Sequence, residues 1–210
     1  MKDTTKKRIV ITGSEGIIGS KLVHHLSKNY EIIPLDIELG HDLTDENFVR
    51  DWFSNNKNLY ALIVCHAHNP VPLEGSKKVE PVDVSLNEIK EYLDVNVVSA
   101  FDVFRNFIKN NSAGKLIAVS SIYGLLSPKH HLYNNFTKPI GYSISKSGIV
   151  IMTKYLSTYY SKNYNINTVV FGGLYDDKID KDFVKNYNNN VPMGRMMNIE
   201  EVPSVFDFLL

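Results

Sequence analysis

The sequence predicts an α/β fold, a doubly wound parallel sheet with helices on both faces. Three observations carry this. Short β-branched runs recur along the chain, stretches with apolar residues at helical spacing separate them, and a glycine turn joins the first strand to the first helix. The 210 residues carry no net charge and 43% hydrophobic residues, enough for one globular domain over 1–210 with a real core.

Ile9-Val10-Ile11 forms the first strand, and Ile17, Ile18, Leu22, Val23 and Leu26 repeat at helical spacing until Asn29. EIIPL (31–35) forms a second strand, with Pro34 required near its end because proline cannot donate to a ladder. LYALIVC (59–65), KLIAVS (115–120) and NTVVF (167–171) supply three more buried strands. Helical patterns run near 45–55, 86–109, 142–162 and 200–210, and the asparagine-rich stretch 185–190 reads as a mobile loop. Strands alternating with helices favour parallel pairing.

Composition excludes several classes of partner. Balanced charge without a basic stripe gives no footprint for nucleic acid or an anionic membrane surface, and no segment has the apolar length of a membrane span. The amino terminus, MKDTTKKR, has charges and no apolar core, so a cytoplasmic location is expected. The one cysteine, Cys65, has no partner within the chain for a disulfide.

VITGSEGIIGSKLV (10–23) places Gly13, Gly16 and Gly19 between strand and helix. Such glycines permit positive φ and close approach of backbone N–H groups to a pyrophosphate, whose charge the helix dipole favours. The GxxGxxG spacing differs from the common GxGxxG, and alone it fits a structural turn equally well. Asp36, at the end of the second strand, is placed to accept from an adenosine ribose; otherwise it is a cap or a solvated acid.

Further on, Asn96 sits in DVNVVSAF, Ser120-Ser121 ends LIAVSS, and Tyr142 and Lys146 stand in GYSISKSG. This ordered set, together with the glycine trio, resembles the short-chain dehydrogenase/reductase family across essentially the whole chain. The resemblance implies a Rossmann-like, three-layer α/β/α domain and catalysis by Asn96, Ser121, Tyr142 and Lys146. It also implies a nicotinamide cofactor held by Gly13, Ser14, Glu15, Gly16, Ile18 and Gly19 in the turn. Asp36, the pair Asp42-Leu43, His66-Ala67, Tyr142, Lys146 and Gly172 complete that cofactor set.

Tyr142 and Lys146 lie one helical turn apart and project from one face. Bringing a tyrosine from a pKa of about 10 to near neutrality takes about 4 kcal/mol, of which a nearby ammonium supplies part. In the implied mechanism Tyr142 exchanges a proton with the substrate oxygen, Ser121 orients that oxygen, and Lys146 also holds the nicotinamide ribose. Asn96 positions a water that leads protons from Lys146 to solvent. Taken one at a time these residues read as a solvated helix, a strand-end hydroxyl and a helix cap. Asp36 and Glu15 would both repel a ribose phosphate, so NAD is preferred over NADP.

The chain departs from the family pattern at several points. Cys65-His66-Ala67-His68 stands where the family shows N-N-A-G, and His66 and His68 have no further ligand at metal spacing, so no metal is expected. Only five residues separate Asp36 from Asp42, which trims one edge of the sheet. The segment from Ser121 to Tyr142 is long and rich in His, Tyr and Asn, suggesting a small-molecule substrate with several hydroxyls, a sugar or sugar-nucleotide precursor. Phe171-Gly172-Gly173 replaces Pro-Gly, and the sequence stops at DFLL with the family's last strand missing.

The expected function is NAD-dependent interconversion of a secondary alcohol and a ketone. A sugar-nucleotide epimerase or dehydratase with tightly held NAD is a second reading, and a non-catalytic cofactor-binding protein a third. Apolar residues on 86–109 and 142–162 exceed what one buried face needs, predicting a homodimer or homotetramer.

Overall fold

A computed structural model describes residues 6–210, so residues 1–5 of the amino-terminal segment discussed above lie outside the described residues. Five strands, β1 (Arg8–Thr12), β2 (Glu31–Leu35), β3 (Ala61–Val64), β4 (Gly114–Ser121) and β5 (Tyr164–Phe171), form one parallel sheet in the order β2-β1-β3-β4-β5. Seven α-helices accompany them among the described residues: α1 (Ile17–Leu26), α2 (Glu46–Asn55), α3 (Leu86–Leu93), α4 (Ser99–Asn110), α5 (Ile140–Tyr159), α6 (Lys181–Asn188) and α7 (Pro203–Leu209). The chain reverses direction across the sheet at β1, which pairs β2 on one side and β3 on the other. Ligands of open α/β sheets bind at the carboxyl end of such a switch point.

Strand periodicity divides the core. Val10, Leu62 and Leu116 pack with Phe53, Phe104, Phe107 and Leu156 on the side of α2, α4 and α5. Their neighbours Ile9, Ile11, Ile63 and Ile117 pack with Leu22, Leu26, Val202 and Phe206 on the side of α1 and α7. Successive residues face opposite ways, so an unbroken β-branched run buries both faces.

Several expectations need adjustment. Pro34 is the penultimate residue of β2, and because β2 lies at the sheet edge its missing N–H has no partner to lose. A 3-10 turn, Ile37–Leu39, capped by Asp36, fills the short interval before Asp42. The predicted helix over 86–109 is two helices joined by a π-helical turn, Asp94–Val98. The stretch 185–190 is not a loop for most of its length: α6 covers Lys181–Asn188. Asp180 caps it by accepting from the Phe183 N–H at 2.8 Å, and Phe183 and Tyr187, one turn apart, bury its inner face.

That inner face builds a third core with the long segment before α5. Leu132 and Tyr133 pack against Ile179, Phe183, Tyr187 and Met196, and the Tyr133 and Phe183 rings stack at 4.7 Å. The residues that lengthen the interval between Ser121 and Tyr142 are therefore packed on α6, with Tyr123 of the turn after β4 partly buried against them.

Candidate active site

The glycine turn is sterically determined. Gly13 has φ +65°, and a Cβ there would sit 2.5 Å from the His66 backbone nitrogen. A Cβ on Gly19 would sit 1.9 Å from the Gly13 carbonyl oxygen, so the helix start closes onto the turn only without a side chain. Gly16 is the N-cap of α1 and no side chain caps that end, which leaves the first N–H groups open. Ser14 beside them is buried, with its hydroxyl unpartnered among the described residues. An open helix N-terminus with an orphan hydroxyl and no obstructing side chain fits an anionic pyrophosphate.

A cavity of about 630 Å³ extends from this turn past Asp36, Asp42, Leu43, His66, Ala67 and Ser99. The Glu15 N–H donates to Asp36 Oδ2 and the Glu38 N–H to Oδ1, both at 3.0 Å, fixing the carboxylate at the cavity wall. Asp42 accepts from the Thr44 N–H and hydroxyl, and the hydroxyl bond leads in holding its carboxyl below the usual range. Ile18 packs into the α1 side of the core and is not among the residues lining this cavity; Ile17 lines a second one, of about 840 Å³, with Tyr175, Arg195 and Glu201. Gly172 lines neither and lies against the Tyr187 hydroxyl.

His66 lines the cavity, but its ring nitrogens are both committed. The π turn redirects the Ser99 N–H to the Asp94 carbonyl, which releases the Val95 carbonyl to accept the Ser99 hydroxyl at 2.6 Å. Ser99 Oγ must then accept from His66 Nε2–H, at 2.8 Å, and His66 Nδ1 accepts from the Thr12 hydroxyl at 2.7 Å. Burial first, and the Lys146 charge second, hold this imidazole down at about 4, so the ring is neutral. It is a strut between β1, the end of β3 and α4. His68 is exposed, and its ring leans on Tyr92. No group of three or more metal-ligating side chains stands together among the described residues.

Asn96 is buried within the π turn. Its Oδ1 accepts from the His68 N–H at 2.6 Å, and its Nδ2 donates to the His68 carbonyl at 3.1 Å and to Ser145 Oγ at 2.9 Å. The side chain thus ties the loop after β3 to α5.

Ser121 ends β4, Tyr142 and Lys146 lie on α5, and all three are buried together. Ser121 lies beside the Tyr142 phenol and acts to lower its pKa. Lys146 Nζ donates to the Val119 carbonyl at 3.0 Å, and burial lowers it to about 8 despite the opposing effect of Cys65. Burial likewise drives the Cys65 thiol up to about 12. One expectation fails here: Tyr142 is raised, not lowered, because desolvation of the phenol outweighs the opposing effect of Ser121. The Lys146 ammonium stands 5.9 Å from the Tyr142 ring centre and does not offset that burial. A closer cation, Lys138, was not signalled by the sequence pattern and stands 3.9 Å from the same ring centre.

The chain is similar to several known proteins. A family model described as enoyl-(acyl carrier protein) reductase matches residues 8–210. The chain is 29% identical over 139 residues to post-translational flagellin modification protein A of Campylobacter coli, covering 63% of this chain and 54% of that protein, about half its length. It is 23% identical to the 3-oxoacyl-(acyl-carrier-protein) reductase FabG of Aquifex aeolicus, covering 96% of this chain and 79% of that one. Among solved structures, a short chain dehydrogenase from Leptospira borgpetersenii with bound NAD+ superposes with a TM-score of 0.84 at 27% identity, over 98% of this chain and 85% of that one.

Proposed function

The chain belongs to the short-chain dehydrogenase/reductase family of NAD(P)-dependent oxidoreductases, and we propose that it interconverts a secondary alcohol and a ketone using NAD. The observation that carries this reading is the burial of Ser121, Tyr142 and Lys146 together at the carboxyl end of the sheet, beyond a glycine turn that no side chain obstructs. Bound nicotinamide supplies the hydride acceptor or donor. Tyr142 exchanges a proton with the substrate oxygen, Ser121 holds that oxygen through its hydroxyl, and Lys146 supports both the phenol and the cofactor ribose. Asn96 keeps the loop after β3 in register with α5, which bears Tyr142 and Lys146.

NAD is preferred over NADP because the adenosine-side cavity is lined by Glu15, Asp36, Glu38 and Asp42 and by no lysine or arginine. The substrate is a small polyhydroxylated molecule, a sugar or sugar-nucleotide precursor, in keeping with the Tyr, His and Asn side chains of the segment between Ser121 and Tyr142. No helix among the described residues is long and apolar enough to cross a membrane; the protein works in the cytoplasm. Exposed Val98 and Phe101 near the start of α4, with Ile144, Ile151, Tyr155 and Tyr159 on α5, form an apolar surface suited to a second copy of the chain. The test is stoichiometric reduction of NAD on a panel of polyols and sugar nucleotides. Turnover without net NADH would instead indicate an epimerase.

A further inference from the structure

Lys138 is only 7% exposed, a rare state for a lysine, and lies in the segment leading into α5. Its Nζ donates to Asn69 Oδ1 at 2.7 Å and to the Pro70 carbonyl at 2.6 Å, both on the loop after β3. It also stands over the face of the Tyr142 ring at 3.9 Å, against 5.9 Å for Lys146. No carboxylate pairs with it among the described residues. Both tethers are neutral acceptors, so they fix the position of the ammonium without cancelling its charge.

We propose that Lys138 is a second cation of the active site and a positioning residue that acts through Tyr142. Its charge on the ring face stabilises the phenolate, and its bonds to Asn69 and Pro70 set where that charge sits. The inference rests on the reading of Tyr142 as the proton-exchanging group. A cation above an aromatic face is attracted by the ring quadrupole, and the attraction to a phenolate is stronger because a full negative charge replaces it.

The other groups facing this pair are few. Lys146 on the same helix faces both Tyr142 and Lys138. Tyr123 from the turn after β4, Tyr133 from the segment before α5 and Tyr92 from α3 face Tyr142 as phenols that burial holds in their neutral form. Burial, with Lys146 next, lowers Lys138 to about 7, so this cation titrates near neutrality. An arginine in its place stays charged throughout.

The experiment compares Lys138→Arg, Lys138→Gln and Lys138→Met in the full chain carrying 13C at tyrosine Cζ, with the Tyr142 signal assigned by its loss in Tyr142→Phe. The ionised fraction of Tyr142 is read by NMR at one common pH where circular dichroism shows every variant folded. Gln keeps a donor for Asn69 and Pro70 and loses only the charge, so it covers the case in which Met fails to fold. The expected result is a phenol ionisation constant roughly tenfold higher in the Arg variant than in Gln or Met, with the wild type between them. In turnover, the acid limb of the pH profile lies at higher pH than in the wild type for Gln and Met, and at lower pH for Arg. Equal ionisation in the three variants overturns the proposal. The titration uses neither cofactor nor substrate, so a protein that never reduces NAD would fail the oxidoreductase reading while leaving this test intact.

Discussion

Replacing His66 by Asn separates the strut from the general stability of the fold. In the folded protein the imidazole is held at about 4, against 6.5 in the unfolded chain. Between those values the unfolded state binds a proton that the folded state refuses. The contribution of His66 is therefore complete above pH 6.5 and is lost progressively as pH falls toward 4. The difference amounts to about 3 kcal/mol, from 1.36 kcal/mol per pH unit. Urea denaturation at pH 7.5 and pH 4.5 reads most of it: the wild type should lose about 2.5 kcal/mol more than His66→Asn over that interval. The comparison of pH dependence cancels other titrating groups and any fixed cost of leaving Thr12 and Ser99 without their ring partner. Equal pH dependence in both proteins would refute the buried, neutral strut.

Gly19→Ala puts a methyl 1.9 Å from the Gly13 carbonyl oxygen, and backbone must move; a loss of about 3 kcal/mol in thermal or urea unfolding, with weakened NAD binding by calorimetry, is expected. Asp36→Ala combined with Ile37→Arg removes a carboxylate from the adenosine-side cavity and supplies a cation, and should move preference toward NADP in paired binding titrations. Ile151→Lys, at a residue 65% exposed on α5, should lower the particle mass seen by light scattering while leaving circular dichroism unchanged.

The strands were legible because each is a β-branched run buried on both faces, as in Ile9-Val10-Ile11. Gly13, Ser121, Tyr142 and Lys146 were legible as an ordered set of types at the ends of those elements. What escaped depends on contacts far apart in sequence. Lys138 reads as a surface lysine before a proline, and only its approach to Asn69 and Pro70, nearly seventy residues away, buries it. The strut role of His66 requires the carbonyl released by the π turn, which has no sequence signature in DVNVV. For α6 a signal was present: Asp180 as cap, with Phe183 and Tyr187 one turn apart, outweighed in the reading by the neighbouring asparagines. The pKa of Tyr142 was expected to fall because Lys146 is near in sequence, whereas in space burial dominates.

The central claim is that Tyr142 exchanges the proton in an NAD-dependent oxidation. Its most direct test is NADH formation by wild type and Tyr142→Phe on the same polyol panel, with NAD affinity measured in parallel. The account predicts that the variant keeps NAD affinity within about threefold and loses turnover by roughly a hundredfold or more, the scale of a general acid–base contribution. Undiminished turnover in Tyr142→Phe, or a wild type that does not bind NAD, would contradict it.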